Sequence, residues 1–260
     1  MSTRSTPWEQ GTPCWFDLST TDLAATTAFY ATTFGWELMD TGAEFGHYTF
    51  CLVRGMPVAG IGPAMDGQPP APLWTVYLAV DDADKAAEAI AGNGGTVVMP
   101  PMAISDQGRM AVAVDPTGAT FGLWEAGKMF GAVLVNEPGG VVWNDHRSPD
   151  PAAAQAFYAA VVGHTYTPLA GEAGYVSIDG AGPGDTVGGI GGPATSLPAD
   201  LPPHWMTYFA VADVDATCAQ ATGLGATVHV PPKDIEGVGR FAVIGDPHGA
   251  VFSVITMTAA

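Results

Sequence analysis

The chain contains few basic residues. Eight Lys and Arg stand against 26 Asp and Glu in 260 residues, which gives a formal net charge of −18. Nucleic-acid affinity depends on basic side chains that neutralise phosphates, so this balance predicts that the protein binds neither DNA nor RNA. An acidic surface keeps a protein soluble. It also attracts cationic small molecules, although salt screens that attraction beyond about 8 Å. We favour solubility and keep the second interpretation open.

Long apolar runs and paired cysteines are also missing. No apolar run approaches the roughly 20 residues that a membrane helix requires. The N-terminal stretch MSTRSTPWEQGTPCW lacks the apolar core of a signal peptide. Cys14, Cys51 and Cys218 are odd in number and far apart, as in proteins of reducing compartments. These absences predict a cytoplasmic protein with no membrane contact and no structural disulfide.

What the sequence does contain is an internal duplication. Three pairs of similar stretches recur in the same order: CWFDLSTTDLAATTAFYATTFGW (14–36) with VWNDHRSPDPAAAQAFYAAVVGH (142–164), VAGIG (58–62) with VGGIG (187–191), and DPTGATFGLWEA (115–126) with DPHGAVFSVITM (246–257). Hydrophobic residues make up 47% of the chain, enough for packed cores. The duplication predicts two domains, residues 1–130 and 131–260.

Each half divides again into two units of one strand, one helix and three strands. Asp22, Asp82, Asp150 and Asp213 precede the helical segments, where a carboxylate accepts hydrogen bonds from the free N–H groups of the first turn. The stretches DPTG and DPHG have the residue order of a type I turn. We therefore assign structural roles to these aspartates. The pattern predicts an α+β fold built from four βαβββ modules.

The modules resemble the vicinal oxygen chelate superfamily, which includes glyoxalases, bleomycin-resistance proteins and extradiol dioxygenases. The resemblance covers nearly all of residues 12–256 and rests on three kinds of motif. Each half begins with a Trp and a Phe-Tyr pair, has the stretch LAVDDAD (78–84) or FAVADVD (209–215) in its middle, and ends with a DPxG turn and a strand. The double-domain, glyoxalase-like bacterial members are the most similar. The resemblance implies that each half curls its sheet into a half-barrel. In metal-dependent members the cavity inside the half-barrel holds a divalent ion. Its ligands are one His, a second residue that is His or Gln, and one Glu.

Neither half has those ligands where the resemblance places them. The six positions are occupied by Trp15, Thr75 and Gly122 in the first half and by Trp143, Met206 and Ser253 in the second. Indole, glycine and thioether do not supply the nitrogen and oxygen donors that these ions require. The six histidines form no close pair, and Glu125 is expected on the opposite strand face from Gly122. We therefore predict no metal and no other cofactor.

Strand alternation predicts which side chains line the two cavities. Mostly apolar linings with a few polar groups are typical of small-molecule pockets; the alternative is that the rings, above all Trp15 and Trp143, fill the barrels as core. The Pro-rich segments 63–74 and 191–205 are expected to form rims or plain linkers. The predicted linings are Trp15, Asp17, Thr75, Tyr77, Thr120, Gly122 and Trp124 in the first half, and Trp143, Asp145, Arg147, Met206, Tyr208, Val251, Ser253 and Ile255 in the second, with His204 near the mouth.

Two functions remain open. The first is a metal-independent protein that binds a small aromatic or hydrophobic ligand, cationic if the acidic surface selects it, such as an antibiotic or a biosynthetic intermediate. Its role would be resistance, sequestration or biosynthesis. The second is a glyoxalase-like lyase or isomerase, or an oxygenase- or hydroxylase-type enzyme. Such an enzyme would be metal-assisted through other ligands, or would use Asp17 or Asp145 as a general base.

The carboxylates and the assembly state give two further expectations. Arg147, two residues from Asp145 on the same face, is expected to pair with it, whereas Asp17 has no such neighbour and is expected to meet a ligand hydroxyl or ammonium group. Because the duplication already gives each half a partner, we expect a monomer, with a homodimer as the alternative.

Overall fold

The computed structural model describes residues 2–64, 74–169, 174–193 and 201–257. The strands up to the joint are β1 (Ser2–Thr3), β2 (Pro13–Thr20), β3 (Glu37–Asp40), β4 (Thr49–Val53), β5 (Met56–Pro63), β6 (Thr75–Ala79), β7 (Thr96–Ile104), β8 (Gly108–Val114), β9 (Thr120–Ala126) and β10 (Leu134–Val135). The later strands are β11 (Val141–Arg147), β12 (Tyr166–Pro168), β13 (Val176–Asp179), β14 (Thr186–Gly191), β15 (His204–Ala210), β16 (Thr227–Ile235), β17 (Gly239–Gly245) and β18 (Val251–Met257). The helices are α1 (Leu23–Phe34), α2 (Ala83–Gly92), α3 (Pro151–Val162) and α4 (Val214–Gly223), with a 3-10 turn at Ala43–Phe45.

The strands form two sheets with the same internal order. The first is β3-β4-β5-β2-β6-β9-β8-β7, and the second is β12-β13-β14-β11-β15-β18-β17-β16 with β10 and β1 attached beside β11. Each sheet joins two βαβββ modules through their antiparallel first strands, β2 with β6 and β11 with β15. The α+β fold of four modules in two tandem half-barrels is confirmed.

The joint between the halves connects the two sheets. The predicted boundary at residue 130 falls between the end of β9 at Ala126 and the start of β10 at Leu134. Strand β1 crosses it, because Ser2 and Thr3 pair with Val135 and Leu134. Of the Pro-rich segments predicted as rims or linkers, residues 65–73 and 194–200 lie outside the described residues. Within the part that is described, no helix has the length and apolar character needed to cross a bilayer.

The repeated aspartates hold helices and turns. The four predicted caps accept hydrogen bonds at 2.9–3.0 Å from first-turn backbone N–H groups: Asp22 from Ala25, Asp82 from Lys85, Asp150 from Ala153 and Asp213 from Ala216. The second Asp of each D-x-D motif binds an arginine of the sheet, Asp84 with Arg109 at 2.8 Å and Asp215 with Arg240 at 2.6 Å. The four caps therefore stabilise helix N-termini, and Asp84 and Asp215 bind α2 and α4 to their own sheets.

The two halves pack through the outer faces of their sheets. Phe34 of α1 contacts Phe209 of the second sheet with ring centroids 4.9 Å apart, and Tyr158 of α3 contacts Phe121 of the first sheet at 5.3 Å. Because side chains alternate along a strand, Tyr208, the neighbour of Phe209, points away from this interface. The concave faces that carry the predicted sites therefore lie on the far side of each sheet from the contact between the halves.

The aspartates of the DPxG turns are buried in that contact. The Tyr30 hydroxyl donates to Asp246 at 3.1 Å, and the Tyr158 hydroxyl donates to Asp115 at 3.0 Å. His146 adds a further bond, with its Nε2 2.7 Å from the Asp115 carboxylate and its side chain fully buried. The first half has Leu18 at the corresponding position. The two copies of this contact therefore differ in polarity, because one includes His146 and the other has Leu18 in its place.

Candidate functional site

The strand register places the sequence-predicted site residues on one face of each sheet. In the first sheet Trp15 lies opposite Tyr77, Asp17 lies opposite Thr75, and Tyr77 lies beside Gly122. Thr120 and Trp124 flank Gly122 on the same face of β9. The concave face of the first half-barrel thus brings together all seven residues predicted for it.

The second sheet repeats this arrangement. Its pairs are Trp143 with Tyr208, Asp145 with Met206, Arg147 with His204, and Tyr208 with Ser253. Val251 and Ile255 flank Ser253 on the same face of β18.

Asp17 lies between two tyrosine hydroxyl groups in the first half-barrel. Tyr77 donates to its Oδ2 at 3.1 Å, and the Tyr48 hydroxyl also bonds to the carboxylate. The indole N–H of Trp15 donates to the Tyr48 oxygen at 2.8 Å. Desolvation raises the pKa of Asp17 to about 7, while the bonds from Tyr77 and Tyr48 act in the opposite direction. Asp17 is partly exposed, so a ligand can reach a carboxyl group that titrates near neutral pH.

The corresponding Asp145 has more partners. It accepts hydrogen bonds from Trp143 Nε1 at 2.7 Å, Tyr208 Oη at 3.0 Å and Arg147 Nη2 at 2.9 Å, and from the Tyr175 hydroxyl. The Arg147 guanidinium also lies 4.8 Å from the centroid of the Tyr175 ring. A carboxylate has about four acceptor sites, and the Asp145 side chain is 4% exposed. This carboxylate is therefore ion-paired and saturated, and the predicted Asp145–Arg147 contact is present.

Sequence reasoning missed Tyr48 and Tyr175. Each precedes the first residue of its strand, β4 or β13, so strand alternation does not reach it. The sequence signal was the glycine pattern of VAGIG and VGGIG. A Cβ on Gly60 would lie 1.9 Å from the Tyr48 hydroxyl oxygen, and one on Gly189 would lie 2.0 Å from that of Tyr175. Glycine inside a strand marks such a close approach, and here it admits the tyrosine that binds each aspartate.

The two concave faces differ in how far they are covered. In the second half Met206, Val230, Phe241, Val243, Val251 and Ile255 form one buried apolar cluster. Five of the six counterparts in the first half are more accessible: Thr75, Met99, Met110 and Val112 are partly exposed and Thr120 is exposed. The sixth, Trp124, is buried like Ile255. The first half-barrel consequently offers a more accessible face around its aspartate.

Three further polar residues have assigned partners or positions. The ring of His204 donates from Nδ1 to the Pro202 carbonyl oxygen at 2.7 Å, and burial lowers its pKa to about 4, so this ring is neutral at pH 7. Glu125 points to the helical side of the first sheet, where it accepts from the Ala83 N–H at 2.8 Å. His248 is exposed on its turn.

A glycine occupies the position that carries the metal carboxylate in metal-dependent relatives. A Cβ on Gly122 would lie 2.1 Å from Cδ1 of Tyr77, so the tyrosine ring fills the space of that side chain. Ser253, the counterpart, is fully buried. Within the described ranges, no group of three or more His, Cys, Asp or Glu is placed to hold an ion. The residues present at the inherited positions do not fit a divalent metal.

Gly122→Ala is expected to lower the free energy of unfolding by about 1–3 kcal/mol, because the new methyl group displaces the Tyr77 ring from a packed position. Ser253→Ala, at the same position of the repeat, removes one buried hydroxyl and is expected to change it by less than about 1 kcal/mol. Urea denaturation of both variants measures the difference. A Gly122→Ala protein as stable as the wild type would show that Tyr77 does not rest against this position.

Comparison with known protein families agrees with this architecture. Residues 14–123 match the family model of the Glyoxalase/Bleomycin resistance protein/Dioxygenase superfamily, and residues 141–255 match that of the Glyoxalase-like domain. The chain belongs to this superfamily. Its members include the vicinal oxygen chelate proteins that the repeated motifs resemble, and two of its domains stand in tandem here.

Individual relatives are similar over nearly the whole chain. "Putative glyoxylase CFP32" of Mycobacterium bovis is 44% identical, and the match covers 95% of each chain. "Anthracycline biosynthesis protein DnrV" of Streptomyces peucetius is 38% identical, with 97% of this chain and 95% of the relative covered. Among solved structures, the Mn(II)-bound glyoxalase from Novosphingobium aromaticivorans has a TM-score of 0.65 at 18% identity, over 95% of this chain and 83% of the other. The last comparison concerns the fold alone.

Proposed function

We propose that this protein binds a planar, aromatic or hydrophobic small molecule, without a metal ion, on the concave face of its first half-barrel. The observation that carries the proposal is the partly exposed Asp17 beside the partly exposed rings of Tyr48 and Phe50. The buried rings of Trp15 and Tyr77 pack behind them, at a position where metal-dependent relatives need ligands that this chain lacks. Trp15 and Phe50 have centroids 5.6 Å apart, and Tyr48 and Phe50 are 5.5 Å apart. A flat ligand that contacts such rings gains about 0.5–1.5 kcal/mol per pair beyond area burial.

The relatives support the same class of ligand. The name of DnrV assigns that protein to anthracycline biosynthesis, and anthracyclines are built on fused planar rings. A role in antibiotic biosynthesis, resistance or sequestration follows for this chain if it takes a ligand of that kind. We further propose that residues 1–130 and 131–260 form its two domains and that it acts as a cytoplasmic monomer.

Isothermal titration calorimetry with doxorubicin and acridine tests the proposal, and one binding site per chain is expected. Trp15→Ala is expected to weaken binding at least tenfold, since it removes the indole and the donor to Tyr48. Trp143→Ala makes the same change in the second half-barrel and serves as the matched control, with affinity kept within about twofold. Loss of binding in Trp143→Ala and not in Trp15→Ala would move the site to the other half. If neither ligand gave a measurable heat of binding, the proposal would be wrong.

A second candidate is a metal-free enzyme in which Asp17 is the general base. It is favoured by the pKa of about 7 for Asp17, since a base is most effective when its pKa is near the working pH. The name of the mycobacterial relative suggests the hemithioacetal of methylglyoxal and glutathione as the first substrate to try. Turnover that survives chelation and disappears in Asp17→Asn would support this function. Turnover that requires an added metal would exclude it.

A further inference from the structure

Every lysine and arginine of this chain has a partner other than Asp17. The chain has eight such residues. Seven form ion pairs, and the eighth, Lys233, lies over an aromatic ring: Arg4 with Glu9, Arg54 with Glu137, Lys85 with Asp82, Arg109 with Asp84, Lys128 with Asp106, Arg147 with Asp145, Arg240 with Asp215, and Lys233 with Phe241. Among the residues that the structure describes, only neutral tyrosine hydroxyls donate to Asp17. No lysine or arginine of the protein therefore neutralises this carboxylate.

The second half-barrel shows the same carboxylate with its charge balanced. Asp145 and Asp17 lie at the same position of the repeat, and each is bonded by two tyrosines. Arg147 pairs with Asp145 at 2.9 Å, and Ser19 takes the place of Arg147 in the first half. The register is equivalent as well, because Arg147 lies beside Gly191 and Ser19 lies beside Gly62. The first half-barrel has the acceptor and its two tyrosines but not the cation.

We propose that the ligand of the first half-barrel supplies this cation: a planar aromatic amine whose ammonium or protonated ring nitrogen pairs with Asp17. The inference rests on the proposed function and adds the charge of the ligand to it. Tyr48 and Tyr77 hold the carboxylate in place, and the faces of neighbouring rings attract a cation further. A partly desolvated carboxylate without a counter-charge is costly, and a pairing cation offsets that cost. The net charge of −18 raises the local concentration of such ligands.

Two charge-matched pairs of planar probes test the proposal by calorimetry at pH 7.5. The first is doxorubicin, which carries an ammonium group, against its neutral N-acetyl derivative. The second is 9-aminoacridine, which is a cation at this pH, against acridine, which is neutral. We expect the cation of each pair to bind at least tenfold more tightly to the wild-type protein. The affinity for 9-aminoacridine should fall about tenfold as the pH is lowered from 8 to 6, because Asp17 with a pKa of about 7 becomes protonated.

Three variants locate the effect. Asp17→Asn removes the carboxylate, and Ser19→Arg installs the internal cation of the second half-barrel; in both the preference for the cation is expected to fall below twofold, while the neutral probes still bind. Glu88→Gln removes one exposed negative charge from α2 and is expected to keep the full preference. Thermal unfolding confirms that each variant is folded.

Each outcome decides a separate point. Equal affinity for the two members of both pairs overturns this inference and leaves the proposed function in place. A preference for the cation that persists in Asp17→Asn shows that another part of the acidic protein is responsible, and also overturns it. If none of the four probes binds, the proposed function fails together with the inference.

Discussion

Replacing Asp145 by asparagine is expected to lower the free energy of unfolding by about 3–5 kcal/mol, because the amide removes the carboxylate that Arg147 pairs with at 2.9 Å in a largely buried site. Asp145 accepts hydrogen bonds from Trp143, Tyr208 and Arg147 at 2.7–3.0 Å. An amide offers one acceptor oxygen in place of two, so at least one of these donors also loses its bond. Urea denaturation at pH 8 measures the loss.

The matched substitution Asp17→Asn is expected to have the opposite sign. The pKa of Asp17 is about 7 in the folded protein and 3.8 as its ordinary value, so the folded state holds the proton more tightly. The stability that comes from the protonated form is present below about pH 4 and is lost as the pH rises through 7. Asparagine does not ionise, so the variant should be about 1–3 kcal/mol more stable than the wild type at pH 8 and nearly equal to it at pH 4. If Asp145→Asn and Asp17→Asn changed the free energy of unfolding in the same direction, the difference assigned to the two carboxylates would be contradicted.

Asp115→Asn is expected to weaken the contact between the halves by about 2–4 kcal/mol. Oδ1 of Asp115 accepts from the Thr117 hydroxyl at 2.7 Å and from the Ala119 N–H at 3.1 Å. Its Oδ2 accepts from the Tyr158 hydroxyl at 3.0 Å and lies 2.7 Å from Nε2 of His146. Burial opposes ionisation, but the bond to His146 and its charge hold the pKa of Asp115 below its ordinary value. The stability it contributes is thus present above about pH 4 and is lost as the pH falls further.

The repeat supplies the control for this prediction. Asp246→Asn makes the same change in the other copy of the turn, where the carboxylate accepts from Tyr30 and the position of His146 is occupied by Leu18. Its cost should be smaller, about 1–2 kcal/mol. Denaturant melts at pH 7 and pH 4 compare the two variants. Equal losses for Asp115→Asn and Asp246→Asn would show that His146 adds nothing to the interface.

The architecture could be predicted because its determinants are local and occur twice. Asp22, Asp82, Asp150 and Asp213 cap helices as expected, since a capping carboxylate needs nothing beyond the adjacent turn. Alternation along β2 and β6 placed Trp15, Asp17 and Tyr77 on one face, as the register shows. Duplication made each pattern visible a second time and so fixed the strand phase.

The chemistry of the site depended on contacts that alternation does not encode. Tyr48 and Tyr175 reach their aspartates from connections outside the strands, over glycines whose role becomes clear when the neighbouring ring is seen. Asp115 looked like a turn residue alone, yet Tyr158 and His146, which bind it, come from the other half. The greater exposure of the first concave face is likewise a property of side chains from four or more strands.

The most direct measurement is elemental analysis of the purified protein after incubation with Mn(II), Fe(II), Ni(II) and Zn(II) and extensive dialysis. We expect well below 0.1 metal equivalents per chain, on the order of background, because neither half has a donor set for such ions. The inherited ligand positions hold Trp15, Thr75 and Gly122 in the first half and Trp143, Met206 and Ser253 in the second. One equivalent of a transition metal that survives dialysis, and that is lost when a residue on either concave face is replaced, would contradict the account.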